Sequence, residues 1–289
     1  MTIKYLVFSG GGPNTLAQFG AIKSLYGDFF NIDDIQAIYA NSAGSILAIL
    51  LSLKIELIDI EEYFIKKPWG KYFEKNLNDI MEINFYKGFI NRKFLTDILE
   101  EFLKSKDIDI NITLKDLHDI TNIELYFYGT KIDDYSLQEL SHKTTPDMSV
   151  VLASTISCCI PPVFGPVKYN NEHYLDGGVF NNYPINSCLE QQNCNLDEVL
   201  GIRVKGRKAF TYDTIEKDNI IKYFSKVISD LICLNMTDDN QKDIKNNLLI
   251  NATYHTGDIL LWEKFANDIE FRGKLIKLGE DNAVEFLKR

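Results

Sequence analysis

Histidine and cysteine are scarce in this chain, positive charge is in deficit, and no long apolar run occurs. Of 289 residues, four are histidine and five are cysteine: Cys158, Cys159, Cys188, Cys194 and Cys233. The cysteine number is odd and no C-x-x-C pair is present. That argues against a disulfide framework or a thiolate zinc site and favours reduced thiols in a cytoplasmic setting. The longest apolar run, Ile46 to Leu51 continued past Ser52 to Leu53, is far below the ~20 residues that span a bilayer. It reads as a buried helix, and no transmembrane segment is expected. Lys and Arg number 31 against 41 Asp and Glu, a net charge of -10. An acidic chain binds nucleic acid poorly, because backbone affinity comes from cations that neutralise phosphates. The same balance opposes general adhesion to anionic membranes. Neither GxxxxGK[ST] nor GxGxxG occurs, repeats and low-complexity blocks are missing, and Met1-Thr2-Ile3-Lys4 leads into a strand without a signal-peptide pattern.

The hydrophobic fraction of 45%, with 12% aromatic residues, suffices for one large α/β domain or two small ones. Ile3 to Phe8 reads as a buried strand that ends in a glycine loop. A helix is expected from about Asn14 to Tyr26, a strand at Ile35 to Tyr39, and a buried helix from Ser45 to Lys54. Strand, glycine loop, helix, strand, tight turn, helix is the opening of a doubly wound sheet. The stretch Asp59 to Leu117 reads as helical. Phe94, Leu95, Ile98, Leu99, Phe102 and Leu103 form one stripe, and Thr113 with Asp116 suggests a capped short helix. Strands are expected at Glu124 to Thr130, His173 to Leu175 and Val199 to Val204. A helix over Met148 to Ser157 is expected to stop before Pro161 and Pro162. Beyond Arg207 the pattern is helical, with Ile220, Ile221, Phe224, Val227, Ile228, Leu231 and Ile232 on one face, and the polar run Thr211 to Asn219 is the natural linker. The expected organisation is a catalytic domain over 1–207 with a helical C-terminal extension over 208–289 packed on it.

Three motifs carry chemistry. In Ala40-Asn41-Ser42-Ala43-Gly44 a serine sits between strand and buried helix, close to the G-x-S-x-G pattern, in a turn that exposes a nucleophilic hydroxyl. The helix N-terminus would face the negative charge developing on a substrate oxygen. On its own, a serine there also serves as an N-cap. Gly10-Gly11-Gly12 leaves backbone amides free to converge on an anion, an oxyanion or a phosphate; alone it is a flexible turn. Asp176 precedes Gly177-Gly178, and alone that is an ordinary Asp-Gly turn. All three motifs follow strands, so they fall on the sheet edge where α/β folds place their sites.

Together these motifs resemble the patatin-like phospholipase family. Four blocks carry the resemblance: Ser9-Gly10-Gly11-Gly12 with Gln18 and Gly20; Asn41-Ser42-Ala43-Gly44-Ser45; Ala153-Ser154 through Ile160-Pro161-Pro162-Val163-Phe164 and Pro166; and Asp176-Gly177-Gly178-Val179 with Asn181-Asn182 and Pro184. They span Ile3 to about Val204. The resemblance implies a three-layer α/β/α fold with a mostly parallel central sheet. It implies a Ser-Asp dyad in which Ser42 attacks an acyl carbonyl and Asp176 accepts its proton and later activates water. The amides of Gly10, Gly11 and Gly12 would hold the oxyanion. It further implies calcium-independent hydrolysis of phospholipids, lysophospholipids or neutral lipids by a protein that is at most peripheral to a membrane, with no cofactor and no metal.

Two positions depart from the family pattern. Pro13-Asn14 stand where family members carry Arg or Lys two residues past the third glycine, which bears on head-group preference. Ala40 replaces the first glycine of the serine motif. These departures motivate a second reading, an inactive relative that binds lipid or a protein partner; a nucleotide-binding domain using the glycine loop is a third. Of His118, His142, His173 and His255, the last follows Asp176 in the chain order of a Ser-Asp-His triad, but nothing around it marks a catalytic loop. The aromatic and lysine-rich segments Lys66 to Phe73 and Phe85 to Ile90 read as core aromatics first and as an interfacial patch second.

Overall fold

The computed structural model describes residues 2–73, 88, 90–206, 223, 227, 242–254, 256 and 259–288. The expected linker 211–219, most of the stripe 220–232, Cys233, His255 and residues 85–87 and 89 lie outside them. In chain order the described elements are β1 (Tyr5–Phe8), α1 (Thr15–Leu25), β2 (Ala37–Ala40), α2 (Ala43–Ser52), α3 (Leu57–Lys66), α4 (Lys93–Ser105), α5 (Leu114–Thr121), β3 (Glu124–Lys131), β4 (Ser136–Ser141), α6 (Val150–Cys158), β5 (Val167–Tyr169), β6 (Glu172–Asp176), α7 (Ile185–Gln192), β7 (Val199–Gly206), β8 (Asn246–Ala252), α8 (Ile259–Asn267) and α9 (Ile269–Phe286).

The strands form one 8-stranded mixed sheet. β3, β2, β1, β7 and β8 are parallel neighbours in that order, while β4, β5 and β6 pair antiparallel on the β3 side. Alternation along the strands assigns each residue to a face. Leu6, Phe8, Ile38, Ala40, Leu125, Phe127, Leu200 and Ile202 point into the larger core, with α1, α2, α4 and α6. Tyr5, Val7, Ala37, Tyr39, Tyr126, Tyr128 and Val199 point the other way, toward Ile185, Cys188 and Leu189 of α7. Strands buried on both faces lie between helical layers, the arrangement that makes central parallel strands read as unbroken apolar runs.

The helices follow from their sequences. α2 is buried along almost its whole length. α4 buries the six stripe residues named above and exposes its charged face. α5 is capped by Thr113, whose hydroxyl accepts from Asp116 N at 3.0 Å and donates to the Asp116 carboxylate at 2.7 Å. Three strands differ from expectation. β4 has a mostly half-exposed, polar sequence, so only its pairing with β3 makes it a strand. β5 has three residues, too few for a pattern. β8 lies inside the region expected to be helical; it extends β7 in parallel over Leu200–Gly206. The helical part of the expectation holds for α8 and α9, and α9 packs along α1.

Candidate active site

β1 and β2 are parallel and in register, Phe8 opposite Ala40, so the segments leaving them emerge side by side. Ser42 follows β2 and precedes the first residue of α2. Its backbone is at φ 51, ψ -136, a region that costs a non-glycine residue on the order of 1–3 kcal/mol and that persists only where surroundings enforce it. The surroundings here are explicit. Ser42 N donates to Asn41 Oδ1 and to Ser157 Oγ, both at 2.9 Å. Ser157 Oγ donates to Asn41 Oδ1 at 3.0 Å, and Asn41 Nδ2 donates to Asn181 O at 2.6 Å. Ser45 N and Oγ donate to Ser42 O at 2.8 and 2.7 Å. Gly44 is required because a Cβ there would lie 2.8 Å from Ser9 O and 3.1 Å from Phe8 Cβ. Ala40, the departure from the glycine pattern, is fully buried inside β2, where its methyl joins the core.

Asp176 reaches Ser42 by an unusual route. β3 pairs with β2 over its first half and with β6 over its second, both on the side opposite β4. β2 and β6 are therefore antiparallel to each other and run head to head along one flank of β3. Carried three residues past the last pair, Tyr39–Tyr126, the register brings Ser42 level with Gly129, and the partner of Gly129 is Asp176. The carboxylate is 1% exposed. Oδ1 accepts from Gly178 N at 2.7 Å. Burial lifts the pKa of Asp176 to about 7, against the pull of the Ser42 hydroxyl and the Gly178 amide, which favour the charged form. Oδ2 nonetheless has no hydrogen-bond partner of regular geometry. The Ser42 hydroxyl thus lies close enough to act on the carboxylate without completing a regular hydrogen bond to it.

The glycine loop lies against the same point. A Cβ on Gly10 would fall 2.7 Å from Ser42 Cβ. Gly10 N already donates to Asn182 O at 3.1 Å, and Asn182 Nδ2 returns a bond to Gly10 O at 3.1 Å. Of the three amides expected to hold an oxyanion, that of Gly10 is thus engaged, while those of Gly11 and Gly12 carry no hydrogen bond among the described residues. Gly12 is at φ +50, and a Cβ there would meet Thr256 Cγ2 at 2.8 Å and Trp262 Cζ2 at 3.0 Å. Asn14, which stands where the family carries a cation, is fully buried and donates through Nδ2 to Tyr254 O at 3.0 Å.

A cavity with about 590 Å³ of empty space including its mouth opens beside Ser42. Its lining runs from Gly12, Pro13, Thr15 and Leu16 through Ser42, Ala43, Ile46 and Leu47 to Leu95, Ile98, Cys158 and Ile160, with the rings of Phe64, Phe94, Phe164, Trp262 and Phe265. Sequence reasoning missed Ser157, Trp262 and Phe265. Ser157 had a signal, since Ser154, Thr155 and Ser157 put hydroxyls on an otherwise apolar buried helix, where they must find partners. Trp262 and Phe265 had none, because only folding brings them to the loop.

Other expectations resolve differently. Trp69 is fully buried and packs on Phe64, Phe94 and Phe265 at ring-centre distances of 5.7, 5.3 and 5.3 Å, so the first aromatic segment belongs to the core at that residue. His173 is exposed on β6, while His118 and His142 lie near Glu124, at the end of β3 where it pairs with the start of β2. The atoms of this His118, Glu124 and His142 group come within 4.8 Å of one another. The two imidazoles are stacked at 4.1 Å and 5°, however, and parallel rings share no in-plane point at which both lone pairs meet one ion. Glu124 is engaged by Lys143 at 2.8 Å and by the Tyr126 hydroxyl at 2.6 Å.

A family model described as "Patatin-like phospholipase" matches residues 6–189. The "Probable lipid hydrolase 463L" of Invertebrate iridescent virus 6 is 30% identical over 192 residues, which cover 66% of this chain and 64% of that protein. The "Uncharacterized protein R571" of Acanthamoeba polyphaga mimivirus is 25% identical over 208 residues, 69% of this chain and 65% of that protein. The chain thus spans just under two-thirds of the length of these relatives. Among solved structures, VipD from Legionella pneumophila superposes over 100% of this chain and 67% of its own, with a TM-score of 0.61 at 18% identity, a likeness of fold.

Proposed function

Because the chain belongs to the patatin-like phospholipase family, we propose that it is a lipid acyl hydrolase of the phospholipase A or lysophospholipase type, working through Ser42 and Asp176. The observation that supports this reading is the head-to-head meeting of β2 and β6, by which a strained serine that lines an apolar cavity stands level with a buried carboxylate. Ionised Asp176 takes the proton of the Ser42 hydroxyl as its oxygen attacks the ester carbonyl. The oxyanion forms against the amides of Gly11 and Gly12 and the N-terminus of α2, with Gly10 and Asn182 holding the loop in place. The leaving alcohol takes the proton back, and Asp176 then activates the water that releases the acyl group from Ser42. The acyl chain occupies the cavity.

The catalytic domain in this reading is residues 1–207, and of the C-terminal extension over 208–289 the described part adds β8 to the sheet and packs α9 along α1. We place its work at a membrane surface as a peripheral protein. Among the described residues no helix is long and apolar enough to cross a membrane, and Phe180, close behind Asp176, is 45% exposed. The free, buried Cys158, Cys159 and Cys188 suit a reducing compartment such as the cytoplasm. Labelling with a fluorescent fluorophosphonate tests the assignment. Wild type should label, Ser42→Ala should not, and Asp176→Asn should label more slowly. Labelling that survives Ser42→Ala, or folded wild type that never labels, would overturn it.

A further inference from the structure

We infer that Asn41 is a positioning residue: its side-chain amide, oriented by Ser157, clamps the turn that carries Ser42 to the turn that follows Asp176. The inference rests on the hydrolase reading above. It adds a side chain that moves no proton itself and acts through the two that do.

The segments that bear Ser42 and Asp176 need a tie. β2 and β6 pair with successive stretches of β3 and, among the described residues, not with one another. Asn41 spans the gap between them. Its backbone is anchored, with N donating to Phe8 O at 3.2 Å. Oδ1 accepts from Ser42 N at 2.9 Å, and Nδ2 donates to Asn181 O at 2.6 Å. Asn181 belongs to the turn after Asp176, since its own amide donates to Gly177 O at 2.9 Å. Gly177 itself lies so close that a Cβ on it would fall 2.7 Å from Asn41 Oδ1. One planar amide thus touches the nucleophile's backbone and the residue next to the base.

Ser157 of α6 fixes which way that amide points. Its hydroxyl donates to Asn41 Oδ1 at 3.0 Å and accepts from Ser42 N at 2.9 Å, so the three groups close a triangle. In a flipped amide, an NH2 group would face the Ser42 N–H and an oxygen would face the Asn181 carbonyl, two pairings that cannot bond. Asn41 and Ser157 are both fully buried, so bulk water cannot stand in for a lost bond. The same bonds enforce the strained backbone of Ser42. Without the clamp, the Ser42 turn and the Asp176 turn are free to separate, and the dyad loses its geometry.

The test measures the rate constant of fluorophosphonate labelling for wild type, Asn41→Ala, Asp176→Asn and the variant carrying both changes, with folding checked by circular dichroism and melting temperature. Asn41→Ala should label about 100-fold more slowly, the cost of misplacing reacting groups by about an ångström. In the Asp176→Asn background the same replacement should cost less than about threefold, because residues that act as a unit are not additive. A merely structural role would cost the same factor in both backgrounds. That result overturns the inference and leaves the hydrolase reading intact, as does labelling of folded Asn41→Ala within about twofold of wild type. If Asn41→Ala does not fold, Ser157→Ala carries the same comparison. Folded wild type that never labels defeats the hydrolase reading, and the clamp is then read by hydrogen exchange. Asn41→Ala should speed exchange of the amides over Gly177 to Asn182 about tenfold or more, as a turn that has lost its tie opens more often. Exchange there within about twofold of wild type overturns the clamp.

Discussion

Replacing Asp176 with Asn should abolish activity and, at alkaline pH, stabilise the protein. Burial lifts this carboxyl from its ordinary 3.8 to about 7. At about 1.36 kcal/mol per pH unit of displacement, ionising it in the folded chain costs roughly 4 kcal/mol more than in the unfolded chain. The sign follows from proton counting. Between about pH 4 and pH 7 the folded chain keeps a proton that the unfolded chain has lost, so this group's contribution to stability falls as pH rises through that window and levels off above it. Asn cannot ionise, has nearly the same shape, and can still accept the Gly178 amide bond. The variant should therefore gain on wild type by roughly 2–3 kcal/mol between pH 5 and pH 8.5. Urea unfolding of both proteins at both pH values measures this, and other titrating groups cancel in the difference. A stability gap that is the same at the two pH values would refute the claim that Asp176 is held largely protonated by burial.

Three further outcomes follow from the same geometry. In wild type, kcat/KM should rise with pH along a limb centred near 7, because Asp176 is a base only when ionised; a rate already flat from pH 5 would remove it from that role. Ser42→Gly should lose fluorophosphonate labelling yet raise the melting temperature by a few degrees, since a glycine relieves strain on the order of 1 kcal/mol at φ 51; a lower melting temperature would count against stored strain. Arg272→Met should destabilise the protein by roughly 3 kcal/mol in urea unfolding, because three carbonyls lose charge-assisted partners, and a change under ~1 kcal/mol would show the bonds to be dispensable.

Much of this molecule is legible in its sequence because the signals are local. Ile3 to Phe8 running into three glycines, the unbroken apolar face of α2 and the Thr113–Asp116 cap each report a backbone choice made within a few residues. The expected β1, β2, β3, β6 and β7 fall close to the observed strands. The candidate site residues were legible for the same reason, since turns after strands must use glycine, serine or aspartate where φ is unusual or an amide must stay free.

What tertiary structure alone decided is how distant segments meet. β4 and β8 have weak patterns and become strands only through the ladders they complete. The approach of Asp176 to Ser42 depends on β6 taking over the flank of β3 where β2 ends, a register that no local pattern encodes. Trp262 and Phe265 lie far along the chain from Ser42, yet Trp262 packs on Gly12 and Phe265 is tied through Arg272 to the end of α3. Local sequence fixes conformation because backbone preferences act over a few residues. A cavity is lined by whatever side chains the global packing brings together, and its dimensions are therefore a property of the folded chain.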